Sequence, residues 1–454
     1  MVVPQPPYIV PRGRRAIAST TSFKMLRSPP TECLVGGALS LVLRISRCAG
    51  VAPLNFTAAD AGWHIVVSPP LDVFQRVFMT ALNLVALAAL ILDFQEDPSK
   101  SIRLGESAVT TFVWIADLAL VLAIASLAVY RGSARMEKLI RLLRDLQKIN
   151  ADLNNTGCQK MEKIGVIAVT SILLSTLMVQ FADAYIWFQY SIDKGYNWSI
   201  VIMYSSYYIG NYLGLLALLQ WGFVTLAVHN AAAAVNQHLL RLHHVKLKTG
   251  GTAMLEVNLS PPKPVVDCFT ERDYDITPSG SDFAAYPLQV QSMVRRLASS
   301  YGHIGELMRQ MNETNGTIIM AILMASFLHL VLNPYYTFLV LNAGDSVLEA
   351  VVVPLCGSFL QIAVLLVTVE PCHWTQEQRE TTKFLLSRVT VRLAPKSTLL
   401  ARELKQFAKQ TVLSNIKFSA LGVLTLGRPL VASMFGGVAT YLVILMQFHA
   451  LTNH

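Results

Sequence analysis

The sequence predicts an all-α membrane protein of seven transmembrane helices, with its N-terminus cytoplasmic and its C-terminus extracellular. Three observations lead there. Only 14% of the 454 residues are charged, against about 25% in soluble domains. Seven charge-poor apolar runs each approach the ~20 residues that cross about 30 Å of hydrocarbon. Lys and Arg, which stay on the cytoplasmic side, alternate between successive loops.

The spans read as 71–93, 107–129, 164–188, 200–228, 317–342, 347–369 and 430–450. The N-terminal segment and the second, fourth and sixth loops hold 7, 8, 8 and 10 basic residues, whereas the first and third loops hold 2 and 1. One missed span would invert every later loop, so the alternation supports both the count and the direction. This direction is opposite to that of G-protein-coupled receptors. The net charge of +9 is thereby an orientation signal spread over four segments, which removes the case for a nucleic-acid partner. Cys33, Cys48, Cys158, Cys268 and Cys372 fall on the reducing side, with Cys356 inside the sixth span. Asn197, in an Asn-Trp-Ser triplet of the third loop, is the candidate glycosylation site.

Residues 1–70 form a cytoplasmic N-terminal segment. Within it Cys33–Leu43 is apolar but about half a span long and is followed by Arg44 and Arg47, which fits an interfacial helix. Its position suits a secretory signal poorly. Residues 71–369 form a six-helix ligand-binding bundle interrupted by a cytoplasmic insert at 229–316. The flanks of that insert read as helical, and 249–287, with its Gly-Gly and Pro-Pro pairs, as a disordered linker. In the second loop Met136, Leu139, Leu143, Leu146 and Ile149 recur at helical spacing and extend the second span into the cytoplasm. Residues 370–429 supply anchor helices, the second from Thr398 to Phe418, whose apolar faces need cover from neighbouring helices. The last unit, 430–454, is a membrane helix and an extracellular C-terminus.

No hydrolase elbow, zinc-protease or phosphate-loop motif occurs. Cys372 and His373 are adjacent, so on a helix they point about 100° apart and lack a second ligand pair. Neither an enzyme, a metal site nor a cofactor is expected.

The last span is uncharged, yet Ser433, Gly437, Thr440, Ile444 and Gln447 follow one another by four, three, four and three on one helical face. Small residues in such a stripe suit a close helix seam. A pore wall is the other reading, because Gln447 needs polar partners and Phe448 beside it could close a pore by dewetting.

The same segment, Thr440-Tyr441 followed by five apolar residues and Gln447-Phe448, resembles the TYhhhhhQF signature (h, hydrophobic) of insect gustatory receptors. Val369-Glu370-Pro371-Cys372-His373, His329-Leu330-Val331 and Phe418-Ser419-Ala420 are similar to its fructose-sensing branch. The resemblance implies a tetrameric, ligand-gated, non-selective cation channel, homomeric or formed with related receptors, in the plasma membrane. Thr440, Tyr441, Ile444, Gln447 and Phe448 would line and gate the pore. A sugar, fructose-like, would be the ligand, with a bitter or other tastant as the alternative; a metabotropic seven-helix receptor is the rival class.

Sugars present hydroxyl rims and flat C–H faces, so their site needs aromatic platforms and hydrogen-bond partners. The outer halves of the spans offer Trp114 and Asp117, Gln180, Asp183 and Trp187, Tyr207 and Asn211, then His329, Tyr335, Tyr336 and Gln361. Tyr185, Tyr204, Tyr208, Asn333 and Glu349 lie among them. Interfacial belting is the alternative for the aromatic residues, whereas intramembrane Asp117 and Asp183 point to a cavity or a buried partner.

Overall fold

A computed structural model describes residues 33–59, 62–95, 108–153, 159–195, 197–244, 286–342, 348–414 and 416–452. The segment 1–32, the insert through 285, and the side chains of Glu349 and Phe448 lie outside the described residues.

Among the described residues, seven helices are long and apolar enough to cross a membrane. The chain enters through a short strand β1 (Cys33–Val35), helix α1 (Gly37–Ala49) and a hairpin of β2 (Leu54–Ala59) and β3 (Gly62–Val67). The first two spans follow as α2 (Pro69–Gln95) and α3 (Ala108–Tyr130), and α4 (Gly132–Asp152) continues beyond the second. Next come α5 (Gln159–Lys194), a short α6 (Trp198–Met203), α7 (Ser205–His244), α8 (Tyr286–Asn342) and α9 (Leu348–Leu393). A 3-10 turn leads to α10 (Thr398–Leu413), a small hairpin of β4 (Ser419–Ala420) and β5 (Leu424–Thr425), and finally α11 (Arg428–Thr452).

The apolar helix α1 is present, but the strands around it are an addition to the sequence reading. β3 pairs antiparallel with both β1 and β2, bringing Cys33 opposite Ile65 and Leu54 opposite Val67. Gly62 turns the hairpin at φ +146°, where a Cβ would come 2.7 Å from the Val35 carbonyl oxygen. Arg44 of α1 lies 4.6 Å above the Trp63 ring, covering the sheet.

Helix α2 follows membrane logic. Its inward residues include Asp72, Gln75 and Asp93 with Met79, Ala86 and Ala89, whereas Val73, Phe74, Val77, Leu84 and Leu87 face outward. Lipid accepts the apolar side, and the polar groups turn to partners inside. Helix α7 is the central post and packs most extensively on α9 and α3. Against α3 it uses glycines: a Cβ at Gly214 would meet Ile124 at 3.0 Å and one at Gly210 would meet Val121 at 3.1 Å.

In α4, Met136, Leu143, Leu146 and Ile149 are buried and Leu139 half-buried, as their spacing predicts. Beyond the apolar spans, α7, α8, α9 and α10 form a joined base. Asn236 donates to the Gln378 carbonyl and side-chain oxygens at 2.7 and 2.8 Å and accepts from Thr382 at 2.6 Å.

The expected second anchor helix, Thr398 to Phe418, is shorter: α10 ends at Leu413. The chain beyond it is captured by side chains. Arg379 donates to the Tyr301 hydroxyl at 3.2 and 3.3 Å and to the carbonyls of Ser414 and Ile416. Asn312 donates to the Lys417 carbonyl at 2.8 Å and accepts from the Ser419 amide at 3.2 Å. These bonds replace the intrahelical pairs that continuation would supply, and Leu421 and Gly422, both at positive φ, turn the hairpin. Arg428 then starts α11 beside Glu370, with Nε and Nη2 each 3.1 Å from a carboxylate oxygen.

Candidate functional site

The site grows from three tyrosines at the start of the fourth membrane helix. Tyr204 lies at the junction of α6 and α7, and Tyr207 and Tyr208 follow on the first turn of α7. The spacing of three and one fans them toward different neighbours. Each hydroxyl donates to a carboxylate on a different helix: Tyr204 to Asp93 of α2 at 3.0 Å, Tyr207 to Asp117 of α3 at 2.7 Å, and Tyr208 to Asp183 of α5 at 2.5 Å. Trp114, one turn before Asp117, sets its ring 5.6 Å from Tyr204 and 5.0 Å from Tyr207.

Two further helices join at His329. Its Nε2 lies 3.0 Å from Asp117 and 3.2 Å from the Tyr207 hydroxyl, and Gln361 of α9 lies 3.1 Å from its Nδ1. The arrangement is self-consistent for the tautomer with hydrogen on Nε2, since the Gln361 amide then donates to Nδ1. Trp114, Asp117, Tyr207 and His329 are buried and Gln361 is half-buried, so the bonds are shielded from solvent and strengthened by low dielectric. Through Asp117, Tyr207, His329 and Gln361, the four helices α3, α7, α8 and α9 meet in one network.

The other sequence candidates divide. Trp187 packs half-buried against the Trp114 and Tyr204 cluster. Gln180 instead lines a separate cavity of about 620 Å³ with Arg47, Phe74, Gln75, Phe181 and Tyr212, and Tyr208 borders both regions. Asn211 is half-buried on α7, one turn beyond Tyr207 and Tyr208. The rings of Tyr335 and Tyr336 lie 6.2 Å apart, tilted by 49°, about two turns along α8 from His329. Asn333 occupies the space beside Gly357, where a Cβ would come 2.9 Å from its amide nitrogen. Tyr185 is exposed and bonded to Gln189 at 2.8 Å. Asn197 caps α6, accepting from the Ser199 amide at 3.2 Å.

Asp93 was not among the sequence candidates. At the end of an apolar run it reads as an interfacial charge, and only its burial at 1% exposure places it inside. A carboxylate repeating the inward spacing of Asp72, Gln75 and Met79 was the available signal.

The last helix meets the bundle along one side. Met434 and Val438 are buried, and Tyr441, although half exposed, sets its ring edge-on to Phe327 at 5.8 Å. Of the two readings of the stripe, Gly437 takes the seam: a Cβ there would strike Phe327 at 3.1 Å, so its small size serves a contact within the chain. Gly436 takes the outward position, with open space beside it. Ser433, Gly436, Thr440, Ile444 and Gln447 form one line of the exposed surface, which also carries Phe435, Tyr441 and Val443. Cys372 is buried and its thiol donates to the Thr368 carbonyl of its own helix at 3.3 Å.

The sequence matches the family described as 7tm Chemosensory receptor over residues 39–452. It is 26% identical over 365 residues to "Gustatory receptor for sugar taste 43a" of Drosophila melanogaster, covering 76% of this chain and 82% of that protein. Structures of the insect olfactory receptor OR5 from Machilis hrabei share the fold. The complex with eugenol matches at TM-score 0.58 and 11% identity, covering 90% of this chain and 97% of that one. The structure described without eugenol matches at 0.56 and 10%, with the same coverage.

Proposed function

We propose that this chain, which belongs to the 7tm chemosensory receptor family, is a gustatory receptor working as a sugar-gated, non-selective cation channel. It assembles from four subunits around the exposed stripe of α11, with the N-terminus in the cytoplasm and the C-terminus outside. The single observation that carries the reading is the tyrosine fan. Each tyrosine hydroxyl occupies a carboxylate as a sugar hydroxyl would, beside an aromatic face suited to C–H contacts. The relative named for sugar taste supports that ligand class over a bitter compound. Fructose is the specific candidate, through His329-Leu330-Val331, which includes a member of the network.

In this reading the packed network is the ligand-free state. A sugar competes for Asp117 and Asp183, releases Tyr207 and Tyr208, and binds best where α3, α7 and α8 have moved together. That differential affinity shifts the population toward an open channel. Phe327 supplies the link. It stands two residues before His329 on α8 and contacts both Gly437 and Tyr441 of α11. Displacement of α8 at the network therefore moves the seventh helix. Gln447 and Phe448 form the gate, and Glu96, Asp97 and Glu106 of the first outer loop favour cations at the mouth.

Cysteine substitution along α11 tests the pore. Ser433→Cys, Thr440→Cys and Gln447→Cys should each let a charged thiol reagent block sugar-evoked current, while Val438→Cys should not. Equal insensitivity at all three stripe positions would contradict a pore on this face.

A further inference from the structure

A second polar chamber lies well away from the tyrosine fan, thirteen residues further along α7, about 20 Å by helical rise. It is a cavity of about 240 Å³ between α4, α7 and α8, lined among others by Arg135, Lys138, Asp145, Gln220 and Asn315. Two groups in its wall lack what burial demands. Arg135 is 6% exposed; its Nη2 reaches the Val51 carbonyl at 3.4 Å, and its Nε has no partner. Burial pulls its pKa down to about 10. Gln220 is 4% exposed, and neither its amide nitrogen nor its amide oxygen is hydrogen-bonded.

An uncompensated buried cation and an unpaired buried amide both cost stability, so an occupant that satisfies both is favoured. The wall states its charge. Glu313 is held by Arg309 at 2.5 Å, and Arg141 faces Glu137 at 3.7 Å. Arg135 and Lys138 are then opposed by Asp145 alone, leaving the chamber positive. Arg135 stands five residues past Tyr130, the last residue of α3, on the side where the basic loops gather. Chambers at that level meet lipid head groups, and basic ones between membrane helices hold phosphorylated heads.

We propose that this chamber is a binding site for a phosphorylated polyol, with the phosphate oxygens on Arg135 and the Gln220 amide nitrogen and a ligand hydroxyl donating to the Gln220 oxygen. The volume, equal to the share of about eight liquid waters, admits one phosphate with part of its polyol. The same chemistry is offered by an inner-leaflet phosphoinositide head group and by a soluble inositol phosphate.

The test uses the full chain in phosphatidylcholine vesicles, following its thermal midpoint in two arms: added phosphatidylinositol 4-phosphate, or soluble inositol 1-phosphate. Wild type should gain midpoint in at least one arm. A gain from the lipid alone identifies the head group as the source, and a gain from the soluble ester identifies the free ligand. Arg135→Met should weaken the response about tenfold, the loss of one charge-assisted contact. Gln220→Leu, which leaves every charge in place, should weaken it about threefold. If Arg135→Met fails to fold, Gln220→Leu decides. No gain in either arm, as for a chamber filled by water, would overturn the site, as would a gain unchanged by Gln220→Leu. Sugar-evoked current plays no part in the readout, so this outcome stands apart from the channel reading.

Discussion

The fourth and seventh membrane helices are both apolar with a few polar residues, yet the chain treats them in opposite ways. In the most apolar window of the fourth, 72% of residues are buried, against 6% in the seventh. The polar groups of α7 find partners inside the subunit: Tyr207 and Tyr208 reach carboxylates on two other helices. Those of α11 do not, since Ser433 and Thr440 bond only to carbonyls of their own helix. Helices α2 and α5 are also widely exposed; their outer residues are mainly Val, Leu, Ile, Met and Phe, which lipid accepts, with Thr80, Thr170 and Ser175 bonded back to carbonyls of their own helices. On α11 the exposed Phe435, Tyr441, Val443 and Ile444 are joined by Ser433, Gly436, Thr440 and Gln447, small or polar residues that lipid does not require. The difference teaches that burial separates a helix whose polar groups are bonded across the subunit from one whose polar groups are bonded to its own backbone.

The largest expected effect comes from removing the acceptor shared by α7 and α8. Asp117→Ala leaves Tyr207 and His329 short of a buried partner and should cost about 3 kcal/mol. A lowered thermal midpoint and a right-shifted sugar response would register it; wild-type values for both would detach α7 from the ligand site. Next, Phe327→Ala removes the contact between the two regions. Because Phe327 is only half-buried, about 2 kcal/mol is expected, with sugar binding retained and maximal current reduced. An undiminished maximal current would mean that α11 takes its signal from elsewhere.

Asn197→Gln weakens the α6 cap by about 1 kcal/mol or less. It also tests which side the third loop faces: glycosidase should shift the wild-type band on a gel and leave the variant unmoved. Smallest in stability is Gln447→Ala, within about 0.5 kcal/mol because the side chain is exposed. Its effect should appear instead as altered basal leak, and an unchanged leak and dose response would remove Gln447 from the gate.

The seven spans were legible because a helix in hydrocarbon must satisfy its own backbone, which forces long uninterrupted apolar runs. The sheet of β1, β2 and β3 was not, because Cys33 meets Ile65 only through a pairing across the intervening helix and hairpin. The end of α10 was hidden for a similar reason: Arg379 and Asn312, distant in sequence, seize the carbonyls that a helix would have used. In the site, polar residues in apolar runs marked Asp117, Asp183 and His329. Their convergence with Tyr207 and Gln361 depends on how five helices pack. Helical spacing placed Gly437 on the polar stripe, and the Phe327 ring assigned it to the seam, with Gly436 outward.

The most direct measurement is an excised-patch recording of the protein expressed alone, with a panel of sugars and bitter compounds applied to the outer face. The account predicts a cation current evoked by a sugar, fructose foremost, that persists in the excised patch and under block of G-protein signalling. A response that vanishes on excision or with that block would contradict it.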